Sequence, residues 1–257
     1  MKLFHLPTSP WSERARWALY WNAIPHQSSE HLVMIGEVSL RAARRRLGNK
    51  ITAPSMVLDD GTWLTDSWQI ACWIDNEVGG QFFRGAAAEV SRLNTETERF
   101  LQIFRPVVLE RMVNDYPLAL EENLPRMFPK ALHRPLRSVG GMGVKFLIQK
   151  YERPSIDRAE VTGLLDSFRR SIGEKPTVLE AGFSYADILI ATALQMVKPV
   201  SRKYWSIGPA TREAWTLHEY IDDAGELLQW RDELFDAYRL KRRDELEGAE
   251  TAARTSA

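Results

Sequence analysis

Two stretches put hydroxyl and carboxylate side chains where a helix begins. The first is Thr8-Ser9-Pro10, followed by Trp11-Ser12-Glu13-Arg14-Ala15-Arg16. Ser9 suits an N-cap and proline is favoured at the first helical position, so a helix is expected from Pro10. The second is Asp66-Ser67, ahead of Ile70, Trp73, Ile74 and Val78 at helical spacing. The first corner offers unpaired N–H groups and the positive end of a helix dipole, so it can hold an anion, whereas Asp66-Ser67 taken alone is a helix cap. A serine that caps a helix uses an oxygen lone pair and keeps its proton to donate. Capping and anion recognition are therefore compatible at Ser9.

Other reactive side chains give weaker signals. The single cysteine, Cys72, sits among Ile70, Ala71, Trp73 and Ile74 and reads as a buried, inert thiol. One cysteine allows no internal disulfide, which points to a reducing, cytoplasmic setting. The five histidines lack metal-ligand spacing, so no metal is expected. Gly140-Gly141-Met142-Gly143 fits neither a phosphate loop nor a dinucleotide fingerprint. The basic run Arg41–Arg46 reads as a solvated helix face, and no Gly-x-Ser-x-Gly elbow is present. Across 257 residues, 34 Lys and Arg balance 34 Asp and Glu, giving no pull towards nucleic acid. No stretch is long and apolar enough to span a membrane, and Pro7 with the charged helix after it interrupts any signal-peptide core.

The elements that must position these residues follow in order. Leu3–Leu6 reads as a short strand buried on both faces, leading straight into the Ser9 turn. Trp11, Ala15, Ala18 and Leu19 form one helical stripe and Trp17, Tyr20, Trp21 and Ile24 another, so that helix packs on more than one side. His31–Met34 is a candidate second strand, and Ser39–Leu47 a basic helix closed by Gly48. Ser55–Leu58 and Thr62–Thr65 flank Asp59-Asp60-Gly61, a strong hairpin signal. Strand, helix, strand, helix, strand, strand, helix makes a compact α/β unit. Beyond Gly85 the pattern becomes helical. Residues 89–113 form one candidate helix, with a kink or break expected at Arg105-Pro106. Residues 115–143, rich in proline and glycine, read as a long connection of short helices and turns. Helical pattern returns at 157–172, from Ser184, and at 211–220 and 224–240.

This layout resembles a glutathione transferase of cytosolic type: an α/β thioredoxin-like N-terminal domain plus an all-α C-terminal domain. The resemblance rests on four motifs. Thr8-Ser9-Pro10-Trp11-Ser12-Glu13-Arg14-Ala15-Arg16 is similar to the active-site turn of zeta- and omega-like members, where Arg-x-Arg follows. Thr52-Ala53-Pro54 stands at the family's cis-proline loop. Asp66-Ser67 stands at its site for the γ-glutamyl end of glutathione. Ser184-Tyr185-Ala186-Asp187-Ile188 resembles the capping box of its helical domain, a folding element in which Ser184 and Asp187 bond reciprocally while Phe183 and Ile188 staple the entry.

The resemblance implies glutathione as co-substrate, with Ser9 as the catalytic hydroxyl and Ser12 as its understudy. The Ala53 backbone before Pro54, together with Asp66, Ser67 and Lys50, would bind the tripeptide. It implies domains at 1–82 and 88–245, and the small polar residues 246–257 read as a disordered tail. A small hydrophobic electrophile would sit between the domains near residues 105–116, with Trp11 either a wall of that pocket or part of the core. A homodimer is also implied. The rival reading is a protein of this fold that serves as a binding or scaffold module without catalysis, because a fold alone does not imply function. Thr-Ala-Pro, where many relatives carry Val-Pro, keeps that rival in play.

Overall fold

The computed structural model describes residues 1–30, 53–123, 156–242 and 245. The candidate strand His31–Met34, the candidate helix Ser39–Leu47, Lys50, most of the Pro/Gly-rich connection and the 246–257 tail lie outside the described residues. Two layers are seen. In the first, strands β1 (Lys2–His5), β2 (Gln27–Glu30), β3 (Ser55–Val57) and β4 (Trp63–Leu64) form a mixed sheet in the order β2-β1-β3-β4. Helices α1 (Pro10–Trp21) and α2 (Ser67–Glu77) belong to the same layer. This is a thioredoxin-like domain. The second layer is helical: α3 (Ala87–Asn114), α4 (Leu118–Glu122), α5 (Arg158–Ile172), α6 (Tyr185–Ala193), α7 (Pro209–Ala214) and α8 (Gly225–Tyr238).

The sheet register brings three strand ends together. β1 pairs parallel with β2 and antiparallel with β3, with Phe4 opposite Ser55. The end of β1, which leads to Ser9, therefore lies beside the start of β3, which follows Pro54. β4 runs antiparallel to β3, with Met56 opposite Leu64, so the chain returns to that same end before α2 begins at Ser67. Three segments distant in sequence meet at one edge of one sheet.

Three observations bear on these expectations. β1 is not buried on both faces: Leu3 and His5 are buried, whereas Phe4 is half-buried and stacks on Trp63, centroids 5.7 Å apart. The parallel partner of β1 begins at Gln27, in the polar run Gln-Ser-Ser-Glu. As the end strand of the described sheet it is largely exposed, so it carries no apolar signal. Finally, α3 continues through Pro106 without a break. The proline removes one backbone hydrogen bond, but Leu101, Ile103, Phe104 and Val108 are all buried around it, and that packing holds the helix together.

Every residue of α6 is buried, which makes it the central helix of the second layer. Its entry is the expected capping box. The Asp187 carboxylate accepts from the Ser184 N–H at 2.8 Å, the Ser184 hydroxyl at 3.0 Å and the Val178 N–H at 2.7 Å. Phe183 and Ile188, the expected staple pair, are both buried. The two layers join through aromatic side chains: Trp17 of α1 lies 4.6 Å from Phe235 of α8 and 5.5 Å from Phe183, between ring centroids. Among the described residues, no helix is long and apolar enough to cross a membrane.

Candidate functional site

Ser9 caps α1 with extended backbone, and its oxygen accepts the Ser12 N–H at 3.3 Å. It is half-buried and borders a small pocket formed with Pro7, Pro10, Gln195, Tyr204 and Trp205. Ser12 is fully buried, and its Oγ accepts the Leu6 N–H at 3.0 Å, tying α1 to the end of β1. Pro54 is buried and the Ala53–Pro54 bond is cis, directly before β3. Asp66 caps α2 by accepting the Gln69 N–H at 2.8 Å. Ser67 is buried behind it.

Two side chains from the helical layer and one ionic cluster support these corners, and sequence reading had assigned none of them. Tyr185, the first residue of α6, is fully buried and donates its hydroxyl to the Ser67 carbonyl at 3.2 Å. Burial raises its pKa, so it remains a donor throughout the physiological range. Trp11 donates its indole N–H to Glu98 of α3, at 2.8 Å to each carboxylate oxygen. Such partners leave no trace in sequence, because 87 and 118 residues separate them from the groups they hold.

The ionic cluster flanks the pocket. Glu13 is buried and accepts from Arg16 Nη2 at 2.6 Å and from Arg239, just beyond α8, at 2.5 Å. Arg16 also donates to the Pro7 carbonyl at 3.1 Å and meets His5 Nδ1 at 3.3 Å. Burial, then the neighbouring Arg16, lowers the His5 pKa to about 4, so the ring is neutral and can accept from Arg16. Burial alone would raise the Glu13 pKa, but the two guanidiniums outweigh it and the net shift is downward. Such a group stabilises the fold fully above its unfolded value of about 4.5 and loses that contribution as pH falls through its lower native value. Glu13→Gln should therefore be less stable than the wild type at pH 7, and the gap in thermal midpoint should close as melts are taken towards pH 3. A gap independent of pH would show that the carboxylate's charge is not what stabilises this junction.

Cys72 is half-buried, less enclosed than its neighbours implied. Burial, then Asp75 and Asp66, pushes its thiol pKa up, so it is a poor nucleophile at neutral pH. Among the described residues no group of three or more His, Cys, Asp or Glu is arranged to hold a metal.

The fold is that of the glutathione S-transferases. A family model described as "Glutathione S-transferase, N-terminal domain" matches residues 8–77, which span the Ser9 turn, Pro54 and all of α2. The chain is similar in structure to a glutathione transferase from Phanerochaete chrysosporium, at TM-score 0.54 and 14% identity, covering 93% of this chain and 97% of that one. Similarity also extends to a glutathione S-transferase from Sinorhizobium meliloti (TM-score 0.45, 23% identity, 83% and 85% covered). A third is Gtt2 from Saccharomyces cerevisiae (TM-score 0.46, 21% identity, 89% and 100% covered). No curated protein matches the chain.

Proposed function

We propose that this protein is a glutathione-dependent transferase that conjugates the tripeptide to a small hydrophobic electrophile. One observation carries the reading. A half-buried serine hydroxyl stands at the N-terminus of a 12-residue helix, its oxygen engaged by a backbone N–H and its proton left to donate. A free thiol has a pKa of about 8.5, and a helix N-terminus with a hydroxyl donor lowers it by roughly one to several units. Serine is too weak an acid to serve as a base, so Ser9 acts by hydrogen-bonding the thiolate. The sulfur lone pair then forms the new C–S bond while the leaving group departs or the π-electrons shift, and the thiol proton has already gone to solvent.

In this reading glutathione lies across the end of the sheet where β1 leads to Ser9, β3 follows Ala53-Pro54 and β4 leads to Asp66-Ser67. The Ala53 backbone pairs with the cysteinyl unit, Ser67 and the α2 N-terminus receive the γ-glutamyl carboxylate, and Asp66 meets its amino group. Lys50 reaches the glycine carboxylate. Ser12 braces the turn. Residues 1–82 bind glutathione and 88–245 supply the acceptor side. The protein works in the cytoplasm as a homodimer.

Calorimetric titration with glutathione, beside a Ser67→Ala variant, tests this reading. The wild type should bind, and the variant should bind about tenfold more weakly, the effect of losing one hydrogen bond to a charged group. No binding at millimolar glutathione would leave the scaffold reading in its place.

A further inference from the structure

Gln195, just past the end of α6, is only 3% exposed, yet it lines the pocket that Ser9 borders. Its Oε1 accepts the Val200 N–H at 2.8 Å. A backbone N–H needs an acceptor, so this bond fixes which way round the amide sits and leaves Nε2 on the other side. Nε2 has no hydrogen-bond partner among the described residues. Buried amides nearly always find one, so these two N–H donors stand ready for a group that enters the pocket. The turn carrying Gln195 is pinned as well. Arg212 Nη1 donates to the Pro199 and Val200 carbonyls at 3.1 and 3.0 Å. The buried Arg231 donates to the Leu194 carbonyl at 3.2 Å and to that of Lys198. A donor fixed before its ligand arrives needs no reorganisation when it is used.

The rest of the pocket decides what enters. Pro7, Pro10 and Trp205 are apolar walls, and Tyr204 gives its hydroxyl to Asp236, which also pairs with Lys203. Glu13 is taken up by Arg16 and Arg239, so that side carries one net positive charge, and His5 beside it is neutral. What remains is the Ser9 hydroxyl, the Gln195 amide and the positive end of α1, a set that suits a small anion. Even counting what opens to solvent, the empty space is about 240 Å³, room for one functional group and too little for a whole substrate.

We propose that Gln195 is a second catalytic residue, donating an amide N–H to the same glutathione thiolate that Ser9 holds. The proposal rests on the transferase reading. Donors from the two layers then meet on one sulfur, one at the start of α1 and one past the end of α6. A glutamine that only supported Val200 would leave the acidity of the thiol alone.

The test follows the ultraviolet absorbance of the thiolate of bound glutathione against pH in wild type, Gln195→Met and Gln195→Glu. Gln195→Met removes both bonds. Gln195→Glu keeps an acceptor for the Val200 N–H and decides the matter where the first variant fails to fold. The bound thiol should titrate about one pH unit higher in Gln195→Met, the effect of losing one hydrogen bond to a charged group. The rise should be larger in Gln195→Glu, which adds a like charge. Affinity for the serine analogue of glutathione, whose hydroxyl stays neutral, should change by no more than a few fold. A thiol pKa that neither variant moves would reduce Gln195 to a support for Val200 and leave the transferase reading standing. Loss of the analogue together with glutathione would mean that the side chain only shapes the site, and would also overturn the proposal. A wild type that binds no glutathione would overturn both.

Discussion

Asp187→Ala is expected to destabilise the protein by about 3–5 kcal/mol, since it strands two buried N–H donors and a buried hydroxyl at about 1–3 kcal/mol each. For a chain of this size that corresponds to a thermal midpoint lowered by roughly 6–15 °C. The three donors come from Ser184 and Val178, so the carboxylate ties the entry of α6 to the segment before it. That helix touches both layers, and its loss should unfold them together. A change in midpoint under 2 °C would contradict this account.

The same residue gives a pH signature. Burial raises the Asp187 pKa from 3.8 to about 6, against the pull of its N–H donors. The folded protein therefore binds this proton more tightly than the unfolded chain does between about pH 4 and 6. The contribution of Asp187 is fully present below the unfolded value and declines as pH rises through about 6, by about 3 kcal/mol at 1.36 kcal/mol per unit. Asp187→Asn should remove that decline. Denaturant titrations at pH 4.5 and pH 7 would show it, and the same pH dependence in variant and wild type would assign the slope to other groups. Glu13 acts with the opposite sign, its contribution falling away on the acid side.

Ser9→Ala is expected to lower kcat/KM at neutral pH by roughly 10- to 100-fold while changing glutathione affinity by no more than a few fold, the pattern for loss of one hydrogen bond to a developing or resident anion. Losing the cap should also cost about 1 kcal/mol of stability. The more telling readout is the pH–rate profile. Without the hydroxyl donor the bound thiol should titrate closer to its free value of about 8.5, so the deficit should shrink as pH is raised to 9. A uniform loss across that range would mean that Ser9 positions glutathione and leaves its acidity alone. No loss would move the catalytic role elsewhere in the turn.

Much of the framework was legible in the chain because it depends on neighbours in sequence. The Ser9-Pro10 helix start, the Asp-Gly hairpin, the Asp66 cap and the Ser184–Asp187 box are each made within a few residues, and residue type and spacing are enough to announce them. The change from an α/β pattern to a helical one past Gly85 is likewise written in local periodicity. What failed locally did so for stated reasons. The Gln27–Glu30 strand is polar because it lies at the end of the described sheet, and α3 runs through Pro106 because buried neighbours override the lost bond.

The sequence by itself therefore determined most of the described elements, their order and the hydroxyl-bearing corners, since caps, turns and amphipathic stripes are short-range physics. Only the tertiary structure decided what those corners face. The β1–β3–β4 register set the end of β1, the start of β3 and the end of β4 side by side, and α6 brought Tyr185 to the Ser67 carbonyl. Packing of α1 and α3 on α6 set Glu98 on Trp11 and Arg14, and the end of α8 delivered Arg239 to Glu13. Those pairings join residues up to 226 positions apart. A side chain carries no local mark of a partner that distant, because the partner is chosen by how the layers pack.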